Sequence, residues 1–197
     1  VGDLLTGDLG TSLRSKRAIT SDLRGFLPAT LELVVIATLL SLFIGIPLGV
    51  YSGARPNSAI DHFTRVVSIA GVSLPTFWLA LILQLVFFRW LGLLPLGGRL
   101  SNAVAVQHPV HVITGFYLID TVLTGNWVAF RDALTHIILP AVTLATYPIG
   151  LVTRMTRSAM VEVLSERYVT AARAQGVKER TIRFRLALKN AILPTLT

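Results

Sequence analysis

Cysteine is missing from all 197 positions. Disulfide staples and thiolate metal sites are therefore excluded, and the chain carries no marker of its redox compartment. Charge is scarce too. Charged residues make up 14% of the sequence, against about 25% in a typical soluble domain. Acids are the rarer sign, with 10 Asp and Glu against 18 Lys and Arg. No G-x-x-x-x-G-K-S/T stretch occurs, which excludes a P-loop nucleotide site; Gly97-Gly98-Arg99 reads as a loop turn. No nucleophile stands in a pattern with a base, so hydrolytic catalysis has no support. His108 and His111 lie three apart in QHPVH, but no acid joins them and Pro109 breaks the helix that would align them. A metal site is disfavoured on that donor set, and no cofactor is expected.

What abounds is apolar. Hydrophobic residues are 53% of the chain, and the mean hydropathy is +0.68. About 20 consecutive apolar residues cross the hydrocarbon of a bilayer. Three runs meet that length: Ala29 to Tyr51, with Glu32 as its one charge, Val66 to Phe88, and Ala133 to Thr153. The expected fold is therefore an all-α, polytopic helical membrane domain over 29–197, with spans near 29–51, 66–88 and 133–153. Residues 1–28 form an extracytoplasmic segment, of which 1–24 read as loop or short surface elements. The runs carry Pro47, Pro75, Pro140 and Pro148, which neighbouring helices or water tolerate by re-satisfying freed carbonyls. Between the second and third runs, Val112 to Gly125 is apolar but too short to cross and contains Asp120. It predicts a helix against the bundle or the interface, with Trp127 as an interfacial anchor. Glu32 lies within a turn of its span's boundary and is expected to reach water. His136 suits a capping or interfacial role. The chain opens without Met and without the pattern of a signal peptide. Its last residues, NAILPTLT, run into apolar sequence. A fragment is expected.

The positive charge is concentrated. Nine of the 18 Lys and Arg lie between Arg154 and Lys189, with only Glu162, Glu166 and Glu179 to offset them. A basic block beside a span is first a topology signal and points to the cytoplasmic side. That placement speaks against a nucleic-acid partner. Three spans put the Ser52–Arg65 turn on the same side as 154–190 and the N-terminal stretch outside, so one further span is expected upstream.

Within the basic segment, Met160, Val163, Leu164, Tyr168, Ala171 and Ala172 fall at spacings of three and four, predicting one apolar helical stripe. Gly176 is the expected stop, and a second helix is expected from Lys178 or Glu179 toward Pro194. Ala171, Ala172, Ala174 and Gly176 carry little bulk, so another backbone could approach closely. Two readings stay open on these residues alone: a basic surface docking an acidic protein partner, or an amphipathic helix resting on anionic membrane lipid.

TAARAQG (170–176) followed by AILP (191–194) resembles the EAA loop of bacterial ABC importer permeases. The general pattern is Glu-Ala-Ala, three residues, Gly, nine residues, Ile, one residue, Leu-Pro. Here Thr170 stands at the acidic position, and Leu193-Pro194 lies five residues further from the glycine. That longer interval is similar to the dipeptide/oligopeptide/nickel branch. AARAQG (171–176) and ALKNAILP (187–194) match its usual forms. GDLGTS (7–12), LPATLEL (27–33), VSLPTFWLALIL (72–83), LGLLPLGGR (91–99) and TGFYLIDTVLTGNW (114–127) extend the resemblance along the chain, toward the B-type subunit.

The resemblance implies a type I ABC importer transmembrane domain with no nucleotide site of its own. It implies a homologous C-type permease partner, two cytoplasmic ATPase subunits that hydrolyse ATP, and an extracytoplasmic solute-binding protein. It also implies ATPase coupling through Tyr168, Thr170, Ala171, Ala172, Arg173, Ala174, Gly176, Lys178, Leu193 and Pro194. The competing classes are an ion-coupled secondary transporter, which predicts paired intramembrane charges or broken half-helices, and a membrane scaffold.

Overall fold

The computed structural model describes residues 9–192. Among them all regular structure is helical, apart from one β-bridge between Thr11 and Ala18. The helices are α1 (Ile19–Gly53), α2 (Ala59–Ser73), α3 (Thr76–Gln84), α4 (Asn102–Gln107), α5 (Tyr117–Leu123), α6 (Trp127–Leu164), α7 (Arg167–Ala174), α8 (Glu179–Thr181) and α9 (Leu188–Ala191). Two π-helical stretches, Leu85–Trp90 and Ile182–Ala187, continue α3 and join α8 to α9. α1 and α6 are long and apolar enough to cross a membrane, and α2 with α3 and its π-helical extension counts as a third span if the bent pair is one crossing. The protein is thus an α-helical, multi-pass membrane protein.

The run 66–88, read as one proline-bearing span, is a helical pair bent by 104° between α2 and its continuation, and three other expectations are corrected. Proline disfavours helical geometry in the residue before it, and Leu74 is extended, at φ −77 and ψ 131. Pro75 then accepts from the Leu79 amide and opens α3. The predicted stripe from Met160 to Ala172 is likewise split. Ser165 turns back to accept no further helical continuation, its Oγ and N–H both donating to the Glu162 carbonyl, and Glu166 is extended. Residues 19–24, read as loop, belong to α1. Only Tyr117–Leu123 is helical within 112–125.

The chain divides into two compact units, Val1–Ile36 with Ile82–Ala141 and Ala37–Leu81 with Val142–Thr197. The first is organised by polar anchors in its long connection. Asp120 is buried and accepts from the amides of Ile113, Thr114 and Gly115 and from the Thr114 hydroxyl at 2.6 Å. Burial pushes its carboxyl up, but these donors together outweigh that and hold it below the ordinary carboxylate range. Asp132 accepts from the Ser101 amide at 2.7 Å, and Asn126 donates to the carbonyl of His108.

The second unit is packed through glycine. Gly45, Gly49 and Gly53 recur every fourth residue on α1, one face of a helix. A Cβ at each would fall 2.7 Å, 2.5 Å and 2.7 Å from side-chain atoms of Val152, Thr156 and Met160 on α6. Gly150 on α6 approaches the Ser68 carbonyl of α2, and Gly71 on α2 approaches that of Thr146. Small residues let helix backbones close to van der Waals contact, the main attraction left to helices in lipid. Val50, Met160, Ala187 and Ala191 form a buried cluster at the end of this seam.

Candidate functional site

α7 is a two-turn helix with one side held and one side open. Val169 is fully buried and Ala172 half-buried, whereas Tyr168, Thr170, Ala171, Arg173 and Ala174 are exposed. Of the small residues singled out in the sequence, Ala171 and Ala174 therefore face outward and Ala172 turns partly inward. The helix stops at Gly176 in a Schellman arrangement: the Val177 amide donates to Ala172 O at 3.1 Å and the Gly176 amide to Arg173 O at 3.0 Å. Gly176 has φ +76, a conformation side chains resist, and a Cβ there would meet nothing within 4 Å. It serves the turn and leaves the space outside open.

The segment is braced internally. Asn190 donates to the Tyr168 hydroxyl at 2.9 Å. Arg173 Nε donates to Glu179 Oε1 at 2.8 Å, and Arg183 Nε lies 3.7 Å from the other oxygen. The Arg173 hydrogen bond holds the Glu179 carboxyl below its usual value. Lys178 is exposed and immediately precedes α8. Leu193 and Pro194 lie outside the described residues, as do Gly7 and Asp8 of the N-terminal match.

A second cluster in the same unit was not anticipated. Asp61 is fully buried at the start of α2. Its carboxylate accepts from Arg157 Nε and, at 2.9 Å, from Arg157 Nη2; from Arg65 Nη2; from the Ser52 hydroxyl at 2.6 Å; and from the Asn57 amide at 2.9 Å. Tyr51 and Phe184 meet edge to face at 5.8 Å. The turn after α1 is thus tied to the end of α6 through Asp61 and to the segment after α7 through Tyr51.

The first unit has its own polar site. Glu32, expected to reach water, is 6% exposed. It pairs with Arg99 at 2.8 Å and accepts from the Leu118 amide at 2.7 Å, while Arg99 also donates to Gly115 O and lies over the Tyr117 ring. Glu32, Arg99, Tyr117 and Leu118 line a cavity of about 220 Å³ with His136, which is buried with Nδ1 2.8 Å from Asp132 O. The sequence carried no sign that Arg99, 67 positions away, would meet Glu32.

Comparison with known proteins gives the family of the chain. The family described as binding-protein-dependent transport system inner membrane component matches residues 45–197. The chain is 49% identical over 197 residues to the probable D,D-dipeptide transport system permease protein DdpB of Escherichia coli (strain K12), covering all of this chain and 57% of that protein. It is 40% identical over 195 residues to the dipeptide transport system permease protein DppB of Alkalihalophilus pseudofirmus, covering 99% of this chain and 57% of the relative. It is 38% identical over 198 residues to the oligopeptide transport system permease protein AppB of Bacillus subtilis (strain 168), covering 100% of this chain and 56% of the relative. The chain thus spans a little over half the length of these curated relatives.

Proposed function

Because the chain belongs to the family of binding-protein-dependent transport system inner membrane components, we propose that it is part of a permease subunit in an ATP-driven importer of dipeptides or oligopeptides. The names of its relatives support the peptide class. In this reading it builds the pathway with a homologous C-type subunit, receives solute from an extracytoplasmic binding protein, and draws its energy from two cytoplasmic ATPases. Its own role is conformational. ATP favours one arrangement of the ATPase pair, and α7 carries that bias into the spans. A ligand moves such an equilibrium only by binding its states unequally, so ATP and loaded binding protein must each prefer particular permease states.

The observation that carries the proposal is the outward face of α7. Thr170, Ala171 and Ala174 sit exposed on one helical face, and the helix is pinned behind by Val169 and closed by Gly176. A short rigid helix with small outward residues suits a groove on another protein, and it transmits force because its back is packed. Tyr168, Arg173 and Lys178 flank that face. Arg173 and Tyr168 already hold internal partners, so they steady the face as well as border it. Thr170 presents a neutral hydroxyl where the general motif has an acid. The Glu32–Arg99 pair and the break at Leu74–Pro75 are features the ion-coupled alternative also predicts, so the family match, not these charges, favours the ATP-driven reading.

The test is reconstitution of the full-length protein with its homologous permease, ATPases and binding protein in vesicles. Ala171→Phe should lower ATP-driven dipeptide uptake and ATPase association at least about tenfold, the order expected for a blocked central contact. Val161→Phe, at an exposed site on α6, should leave both unchanged. Undiminished uptake by Ala171→Phe, or uptake sustained by an ion gradient without ATP, would sink the proposal.

A further inference from the structure

The π-helical stretch Ile182–Ala187 carries an arrangement that the coupling role does not use. Arg180, Thr181, Arg183, Phe184 and Arg185, with Tyr51, line an open pocket of about 750 Å³. Three arginines line it and, among the described residues, no acidic residue does. Glu179 is beside it, but its carboxylate is engaged by Arg173 at 2.8 Å and lies 3.7 Å from Arg183 Nε, an ion-pair distance without a hydrogen bond. Arg183 Nε is buried and has no hydrogen-bond partner among the described residues. The pocket therefore has surplus positive charge, on a π-helical turn of a kind that recurs at functional sites.

Its position narrows the ligand. Tyr51 stands in the last turn of α1, whose apolar window has a mean hydropathy of 2.5. Back along the same helical face, at four-residue steps, lie Pro47 and Phe43, and Phe43 is 75% exposed. By helical spacing an apolar strip thus lies below the charged pocket on α1. A free phosphate would use only the pocket. An anionic lipid uses both, with its phosphate among the guanidiniums and an acyl chain along the strip, and aromatic residues favour that boundary. We propose that Tyr51, Arg180, Arg183 and Arg185 form a binding site for the phosphate group of an anionic phospholipid, with Pro47 and Phe43 below it meeting the acyl chain. The site requires only that α1 spans the membrane and is independent of ATPase docking.

The experiment is native mass spectrometry of the full-length transporter offered phosphatidylglycerol and phosphatidylcholine in equal amounts. Phosphatidylglycerol should be retained preferentially. Arg180→Gln with Arg185→Gln removes two exposed charges and should lower that retention about thirtyfold, taking the usual attraction per basic residue at an anionic surface. Arg185→Gln alone should lower it about fivefold on the same basis, which gives a second readout if the double variant folds poorly. Arg14→Gln with Arg17→Gln removes equal charge outside the pocket and should change nothing. Equal retention of both lipids, unchanged retention in the pocket variants, or an equal loss in the control would overturn the proposal. Displacement by inorganic phosphate would also overturn it, by making the site one for free phosphate.

Discussion

Asp61 shows how one carboxylate can fix several chain segments. It has no exposed surface and collects two arginines, a serine hydroxyl and a backbone amide from residues 52, 57, 65 and 157. Removing one member of a buried, hydrogen-bonded pair leaves the other without compensation, which typically costs 3–5 kcal/mol. Asp61→Asn should therefore lower stability by about 3 kcal/mol on that scale, measured by thermal unfolding in detergent. Arg157→Gln added to it should cost less than the two single losses summed, because the pair is already broken. Additive losses would show that the two residues act separately. Little of this was legible beforehand. Arg157 is 96 positions from Asp61, and both looked like ordinary charges flanking spans. Glu32 was misjudged for the same reason: its partner Arg99 lies in another segment, and sequence distance hides an ion pair that burial makes necessary. The sequence spacing set Tyr168, Ala171 and Ala172 on one apolar stripe, whereas Tyr168 and Ala171 are exposed and only Ala172 turns partly inward, because the helix breaks at Ser165–Glu166.

At the scale of elements, the glycine seam of α1 sets how closely the helices of the second unit pack. At Gly49 an added Cβ would meet Thr156 Cβ at 2.5 Å and the Thr153 carbonyl at 2.9 Å, neither of them the end of a flexible chain. Gly49→Ala should force the helices apart and cost about 1–3 kcal/mol, the range for overpacking. Gly25, also in α1, has nothing within 4 Å. Gly25→Ala should instead stabilise by up to about 1 kcal/mol through helix propensity. Thermal unfolding of both variants decides the matter, and equal effects would refute the close-packing account. The long apolar runs of α1 and α6 were plain in the sequence because length and hydropathy suffice for them. The glycines at 45, 49 and 53 drew no reading from the sequence, because their role depends on the facing residues 152, 156 and 160 of a distant helix. Pro75 marked a kink without its size. The interruption at Ser165–Glu166 carried no proline or glycine, so a stripe of spaced apolar residues ran straight through it.

For the whole molecule, charge and length together bear on orientation. α1 and α6 have 35 and 38 residues, or about 52 and 57 Å at 1.5 Å per residue. Each exceeds the roughly 30 Å hydrocarbon core, so their ends reach the headgroups or water. α6 bears Arg154 and Arg157 near its C-terminal end, and Arg167 to Lys189 follow. On the positive-inside tendency we propose that 154–190 is cytoplasmic and the 89–132 connection outside. The lack of native cysteine in these residues makes the proposal simple to test, because in this stretch an introduced thiol has no rival. In intact cells producing the full-length protein, Val106→Cys, at an exposed position, should react with a membrane-impermeant maleimide. Arg55→Cys and Gln175→Cys should react only after permeabilisation. These three positions sample one outer and two inner segments, so the pattern has a definite inverse. If Gln175→Cys were labelled in intact cells as readily as Val106→Cys, α7 would face away from any cytoplasmic ATPase. The coupling proposal would then fail, while the glycine seam and the Asp61 cluster, which rest on packing alone, would stand.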